Sequence, residues 1–526
     1  MDIKQKSYLV AAAIIGLAIG LIHQIYIYPF IFHGDAAVYQ TLSTAISSEI
    51  SLSPKDFFYG NQLILLKISP FISLASSLGF TDYKAYAVGG AVAICLWFCI
   101  CYLISNEFFK CKKTALTLTI CLFIPMGIYD IDYMLGQQSH LSNIILCLIV
   151  SMSSIIYCKT LKKTHLLYLS ISIFLISSES PIRSALVMLP LGVFVFINYK
   201  LRSVITVCLL LSLSSLIGFI LNKHLLSTHH QLGIDYASTL SLINPNIAID
   251  NFLRIFRRII VDNASSGFLA EKSVISVSGI IYLIGISYSI LLFFTIIFSA
   301  KFLLKSVSNK HTKSTNDSEI KSLMSLSFIG ILFGLIIIST INPDSGRHIF
   351  WAISIAKICV FGCLLNKLSK HVAIRKYAYI ITVIMSLSAS GWAAIVSANG
   401  FKPYNYTVMI NNMEPYNIAV RASNETGIKY IYGESIWRMQ PINSYHSDLK
   451  SSELVSYVDK VAPSKWLSRP SWYCQDGDVL YLTKNGKTDK MIEGILINRG
   501  GVVIGSSGVT KVWKGPVIWK KPSWCN

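Results

Sequence analysis

Charged residues are scarce in this chain. Asp, Glu, Lys and Arg make up only 14% of its 526 residues, whereas 53% are hydrophobic and the mean hydropathy is +0.56. Such values lie well outside the range of soluble globular domains, so they exclude an ordinary water-soluble enzyme. The composition instead predicts a polytopic α-helical membrane protein.

Signatures of nucleotide and zinc chemistry are missing as well. The sequence has no Walker A motif, no dinucleotide-binding glycine fingerprint and no internal repeat. Its Cys and His residues do not fall at the spacing of zinc ligands, so we expect no bound structural metal. The loops between the apolar runs on the predicted inner side are too short for a nucleotide-binding domain.

Long apolar runs dominate the first 400 residues. Runs of about 17 to 22 apolar residues are long enough to cross a bilayer. They predict about eleven spans, near residues 7–28, 85–104, 114–129, 141–158, 166–178, 184–199, 204–222, 277–300, 323–341, 350–366 and 377–397. The first run lacks a small-residue cleavage site, so we interpret it as a membrane anchor and not as a removed signal peptide.

Basic residues concentrate at alternate ends of these runs. With the N-terminus in the cytoplasm, every inner loop is basic, as the positive-inside rule requires. The basic groups are Lys110 to Lys113, Lys159 to Lys163, Lys200 and Arg202, Lys301 to Lys321, and Lys367 to Lys376. The net charge of +20 is then a topology signal and requires no nucleic-acid partner.

Three sizeable segments lie outside the membrane on the predicted outer face. We expect residues 1–397 to form a transmembrane catalytic domain with outer loops 29–84 and 223–276, and residues 398–526 to form a periplasmic α/β domain. In that domain, residues 418–426 are predicted to be helical, residues 427–437 to be a strand around 430–432 that runs into a polar and aromatic loop, and residues 479–482 to be a strand.

Two of the twelve cysteines, Cys474 and Cys525, lie in the outer domain. An even pair in an oxidising compartment favours a disulfide. Two separate buried thiols are the alternative.

Candidate catalytic residues are polar groups at the outer ends of the spans, where charge is costly unless it meets water or a substrate. Asp35 directly follows the first span and is placed to accept a proton from a sugar hydroxyl; an ordinary solvated loop residue is the alternative. Asp130 and Asp132 lie in the next outer loop. They suit acceptor hydroxyls, catalysis or a divalent cation, with a helix cap as the alternative.

Two further groups lie at the same predicted height. Glu179 is a candidate catalytic or acceptor-binding residue, and Arg183, like Arg347 and His348, is a candidate ligand of the donor phosphate. Glu179 and Arg183 flank Pro181, which favours a turn or a broken helix open to a cavity; an intrahelical ion pair between them is the alternative. Arg347 and His348 precede a late span, where a guanidinium can bind a lipid phosphate through paired hydrogen bonds. Snorkelling of Arg347 to ordinary headgroups is the alternative.

The outer domain is rich in aromatic residues that suit sugar rings. Trp437 and Trp472 offer flat apolar faces, and the neighbouring Glu434 can bond hydroxyls, so these three are candidate acceptor-binding residues. Packing in the core is the alternative for each tryptophan.

Together these features resemble the GT-C class of integral membrane glycosyltransferases. In that class an acidic residue of the first outer loop is the general base, and an Arg of a later loop binds the phosphate of a polyprenyl-linked sugar. Asp35 and Arg347 look like the matching positions, with His348 where a Tyr more usually follows the Arg. The C-terminal part resembles serotype-converting glucosyltransferases that decorate O-antigen in enteric bacteria.

This resemblance implies transfer of a sugar, glucose in our expectation, from a polyprenyl-phosphate donor to a polysaccharide or lipid-linked glycan. It implies an inverting enzyme in the bacterial inner membrane, with membrane lipid as its surroundings, no certain cofactor and no nucleic acid. A lipid-linked glycan flippase or transporter would also explain the spans, but not a C-terminal domain of about 130 residues. An O-antigen polymerase using a diphosphate-linked oligosaccharide is the other alternative.

Overall fold

The computed structural model describes residues 3–60, 62–228, 242–264, 275–308, 319–341, 346–399, 414–458 and 460–525. Parts of the predicted loop 223–276 and the first residues of the predicted domain 398–526 therefore lie outside the described residues. The chain divides into two compact units. A helical unit comprises residues 1–23, 91–223 and 237–402, and a sheet unit comprises residues 24–90, 224–236 and 403–526.

Helices make up most of the described chain. In chain order they are α1 (Ile3–Ile22), α2 (Gly34–Glu49), α3 (Ser69–Ser77), α4 (Asp82–Phe109), α5 (Lys112–Phe123), α6 (Leu141–Thr160), α7 (Thr164–Glu179), α8 (Pro181–Asn198), α9 (Leu201–Thr228), α10 (Pro245–Asp262), α11 (Val277–Ser308), α12 (Glu319–Ile341), α13 (Phe350–Lys370), α14 (Ala378–Ser388), α15 (Gly391–Asn399), α16 (Glu414–Thr426), α17 (Ile436–Tyr445) and α18 (Lys487–Asn498). A π-helical segment, Tyr129–Gly136, precedes α6, and a 3-10 turn, Gly346–Ile349, precedes α13.

Within the described ranges, eight helices are long and apolar enough to cross a membrane. They are Gln5–Phe30, Asp82–Phe109, Leu141–Thr160, Pro181–Asn198, Leu201–Ser227, Val277–Leu304, Glu319–Thr340 and Arg347–Lys370. The pair Arg375–Ser388 and Gly391–Ser397, bent by 51°, makes a ninth if it is one span. The two other predicted spans correspond to α5, with 12 residues, and α7, with 16, so the total of about eleven stays a prediction.

The sheet unit contains a mixed six-stranded sheet in the order β3-β2-β1-β4-β6-β5. Its strands are β1 (Tyr430–Gly433), β2 (Lys450–Tyr457), β3 (Lys460–Pro463), β4 (Asp478–Thr483), β5 (Val502–Ser507) and β6 (Thr510–Pro516). Strand β1 pairs in parallel with β2 and β4, and the outer pairs are antiparallel. The predicted helix at 418–426 and strands at 430–432 and 479–482 are confirmed by α16, β1 and β4, whereas the loop predicted to reach Trp437 ends earlier, because α17 begins at Ile436.

The sheet unit also includes residues 24–90, which contain the predicted outer loop 29–84 and the ends of the two predicted spans beside it. Helix α2 packs on α17, where the Thr41 hydroxyl donates to Gln440 Oε1 at 2.6 Å. The Arg469 guanidinium forms an ion pair with Asp56 at 2.6 Å. Local sequence patterns do not reveal which distant strand or helix will pack against a loop. The sequence therefore did not predict that these residues group with the C-terminal sheet.

A disulfide closes the C-terminal end of the sheet unit. Cys474 and Cys525 are joined, with their Cα atoms 5.3 Å apart and a sequence separation of 51. The other described cysteines are free and lie in or beside apolar helices.

Candidate functional site

A cleft in the helical unit collects several of the predicted site residues. It is a small cleft with a cavity volume of about 20 Å³, and it is lined by His140, Asn143, Ile144, Cys147, Ile176, Arg183, Val187, Arg347, His348 and Trp351. These residues come from α6, α7, α8, α13 and the 3-10 turn before α13. Arg183, Arg347 and His348, predicted separately as phosphate ligands, are thus brought together.

The lining is polar at one end and apolar at the other. His140, Arg183 and Arg347 lie at the N-terminal ends of α6, α8 and α13. The apolar Ile144, Cys147, Val187 and Trp351 lie about one to two turns further along these helices, and Ile176 lies in the last turn of α7. At a rise of about 1.5 Å per residue, Cys147 lies about 10 Å from His140 along α6. A ligand that fits this lining has a polar head and an apolar tail.

The polar end of the cleft favours an anion. Three helices begin there, and their first N–H groups have no partner within the helix and carry the positive end of each helix dipole. Two guanidiniums add full charges, and no carboxylate is among the described lining residues. Arg183 is oriented by a hydrogen bond from its Nη1 to the Ser139 carbonyl at 3.4 Å, and the His140 and His348 rings lie 6.5 Å apart. This arrangement can hold a phosphate and stabilise negative charge that develops on it.

Asp130 has a structural partner that the sequence analysis missed. Its Oδ2 accepts hydrogen bonds from Lys357 Nζ at 2.7 Å and from the Met126 N–H at 2.8 Å. Lys357 also donates to the carbonyls of Leu122 and Ile124, at 2.8 and 2.7 Å. Since both side chains are only 4% exposed, we correct the predicted catalytic or acceptor-binding role of Asp130 to a buried ion pair.

Asp132 and Glu179 are also buried. Asp132 Oδ2 accepts a hydrogen bond from Gln137 Nε2 at 3.2 Å, and the pair orders the turn that leads into α6. Glu179 ends α7 and is 1% exposed. The chain breaks at Ser180, which is extended, and Pro181 begins α8, as the sequence predicted for a broken helix. Neither acid lines the cleft.

The sheet unit contains Asp35, in the first turn of α2, half-buried. The preceding Gly34 approaches α17 so closely that a Cβ there would lie 2.6 Å from the Trp437 Cα, so only glycine fits. His33 stacks on the Trp437 ring with centroids 4.6 Å apart, and Trp437 remains 53% exposed. An accessible indole thus lies against His33 and Gly34, the two residues that precede the predicted base.

The other two predicted acceptor residues have packing roles. Trp472 is 6% exposed, with the Arg469 guanidinium over its ring at 5.7 Å, so it has no open face for a sugar. The Glu434 carboxylate accepts the N–H of Asp489 at 3.1 Å and caps the start of α18. We therefore correct Trp472 from acceptor binding to packing, whereas acceptor binding by Glu434 stays a prediction.

The described part of the chain shows no group of three or more His, Cys, Asp or Glu side chains arranged to hold a metal ion. Comparison with protein-family models and with curated proteins finds no match to this chain. The geometry of the residues must therefore carry the functional argument. Sequence analysis missed the cleft residue Asn143; its position three residues after His140, at the start of α6, was the available signal.

Proposed function

We propose that this protein is an integral membrane glycosyltransferase of the GT-C type. It would transfer a sugar, glucose in our expectation, from a polyprenyl-phosphate donor to a cell-surface polysaccharide such as O-antigen, with inversion. The observation that carries the proposal is the cleft of the helical unit, with two guanidiniums and three helix starts at its polar end and apolar residues deeper along the same helices. A phosphate attached to an isoprenoid chain matches that order of polar and apolar surface.

The proposed reaction is a single displacement at the anomeric carbon. The acceptor hydroxyl oxygen forms the new bond to that carbon, the bond from the carbon to the phosphate oxygen breaks, and the acceptor proton passes to Asp35. The electron pair leaves with the polyprenyl phosphate. Its added negative charge is stabilised by Arg183 and Arg347, so no second carboxylate is needed to protonate the leaving group.

The acceptor side of the proposal rests on the sheet unit. The exposed Trp437 ring, held against His33, offers an apolar face to the CH face of a sugar. Asp35 lies two residues after His33 in the sequence and is half-buried, which suits a base that must contact a hydroxyl of the acceptor. The basic inner loops and the disulfide support an N-terminus in the cytoplasm and a sheet unit in the periplasm, with the protein in the bacterial inner membrane.

The test is sugar transfer by the purified full-length protein in lipid nanodiscs, with polyprenyl-phosphate glucose as donor and isolated O-antigen as acceptor. Arg183→Ala and Arg347→Ala should each raise the apparent KM for the donor by about 10-fold to 100-fold, the range for a lost hydrogen bond to a charged group. The acceptor KM should change much less. Arg375→Ala, the same substitution at an exposed residue, is the matched control.

Three outcomes separate the alternatives. Transfer with donor-specific effects of both arginines supports the proposal. Donor binding without transfer to any glycan would favour a flippase, and activity only with diphosphate-linked oligosaccharides would favour a polymerase. An unchanged donor KM in both variants would place phosphate recognition outside the cleft.

A further inference from the structure

Asn143 has an unusual environment within the cleft. It lies in the first turn of α6, lines the cleft, and is only 5% exposed. Neither its Oδ1 nor its Nδ2 has a hydrogen-bond partner among the described residues. Its neighbours on the same face of α6 are His140 on the polar side and Cys147 on the apolar side.

A buried amide without partners is costly. A buried donor or acceptor without a hydrogen-bond partner lowers the stability of a protein, whereas a paired one is close to neutral or stabilising. Leu or Ile would fill the same volume at no such cost. A ligand that pairs with both atoms removes the cost when it binds, so the side chain favours ligands with matching groups.

The two amide atoms make different demands. Nδ2 donates and is satisfied by a phosphate oxygen, which the two arginines already attract to this end of the cleft. Oδ1 accepts and needs a donor, but an ionised phosphodiester has none. The two atoms lie side by side on one planar group, so the required hydroxyl must be adjacent to the phosphate oxygen that Nδ2 binds. In a glycosyl phosphate, the hydroxyl on the carbon next to the anomeric carbon fulfils this requirement.

We infer that Asn143 is a specificity residue that recognises the hydroxyl next to the anomeric carbon of a glycosyl phosphate, together with a phosphate oxygen. The inference rests on the proposed function and refines it. The cleft then distinguishes a sugar-loaded lipid phosphate from the bare lipid phosphate that is released as product, which would otherwise compete for the same arginines.

The experiment measures binding of three probes to full-length protein in nanodiscs: polyprenyl-phosphate glucose, its 2-deoxyglucose analogue and bare polyprenyl phosphate. Wild-type protein should bind the glucosyl lipid about 10-fold more tightly than the 2-deoxy lipid, because the analogue leaves Oδ1 unpaired. Asn143→Leu should reduce this preference to within about twofold while still binding bare polyprenyl phosphate. Asn366→Leu, the same change at an exposed position of α13, should keep the wild-type preference.

Asn143→Asp provides a second variant with the opposite pattern. It keeps an acceptor for the hydroxyl but places a negative charge beside the phosphate, so binding of all three lipids should weaken by more than about 10-fold while the hydroxyl preference remains. Thermal unfolding of each variant checks that it is folded.

The failures are distinguishable. A wild-type protein without hydroxyl preference, or a preference that survives in folded Asn143→Leu, would overturn the role of Asn143 alone, provided that the lipids bind in an Arg347-dependent manner. Absence of binding by all three lipids would overturn the proposed function and this inference together.

Discussion

The buried pair of Lys357 and Asp130 allows the sharpest test of the helical unit. Lys357 Nζ directs all three of its protons to partners, namely Asp130 Oδ2 and the carbonyls of Leu122 and Ile124. Replacing Lys357 by Met leaves a buried carboxylate and two buried carbonyls without their cation. Removing one partner of a buried ion pair typically costs about 3 to 5 kcal/mol of unfolding free energy. Asp130→Asn should cost a similar amount, because it strands the ammonium.

The double variant Lys357→Met with Asp130→Asn removes both charges and keeps an acceptor for the Met126 N–H. Its cost should be smaller than the sum of the two single costs by about 2 to 3 kcal/mol, the coupling expected of a direct buried contact. The assay is reversible unfolding in mixed micelles, with the free energy of unfolding measured for the four proteins of the cycle. Lys367→Met, at an exposed position of the same helix, should change that free energy by less than about 0.5 kcal/mol.

Two results would refute this reasoning. Single substitutions that each cost less than about 1 kcal/mol would mean that the pair is not buried in the membrane-embedded protein. Single costs that add without coupling would mean that the two side chains do not interact directly.

Three further predictions concern the sheet unit. Asp35→Asn should lower the turnover of sugar transfer by about 100-fold or more with unchanged thermal unfolding, and retention of a tenth of wild-type turnover would exclude Asp35 as the base. Cys474→Ser should lower the unfolding free energy by about 4 kcal/mol in the chain-entropy model, given the separation of 51 residues, as measured by urea unfolding of the sheet unit's tryptophan signal. Burial lowers the pKa of His446 from its ordinary value of 6.5, and the negative charges of Asp82 and Asp448 partly oppose this shift. As the pH falls, the unfolded chain therefore binds a proton at His446 before the folded protein does. The free energy of unfolding should fall as the pH drops through 6.5, and His446→Gln should remove that part of its pH dependence.

Much of the architecture could be predicted from local patterns in the sequence. A long apolar run has few stable conformations other than a helix, so the predicted spans correspond to helices of the structure. Pro181 between two such runs predicted the break between α7 and α8. The short apolar runs around Tyr430 and Leu480 predicted β1 and β4. These features depend on neighbours in the chain, which is the information that one sequence contains.

The sequence by itself therefore determined the helical, apolar character of the first 400 residues, the strands β1 and β4 and the placement of Arg183 and Arg347 at helix starts. The tertiary structure alone decided which of these residues meet. It paired Asp130 with Lys357, more than 200 positions away, grouped residues 24–90 with the C-terminal sheet, buried Trp472 and left Trp437 exposed. Burial and pairing depend on packing between segments distant in the chain, and no local periodicity encodes that packing.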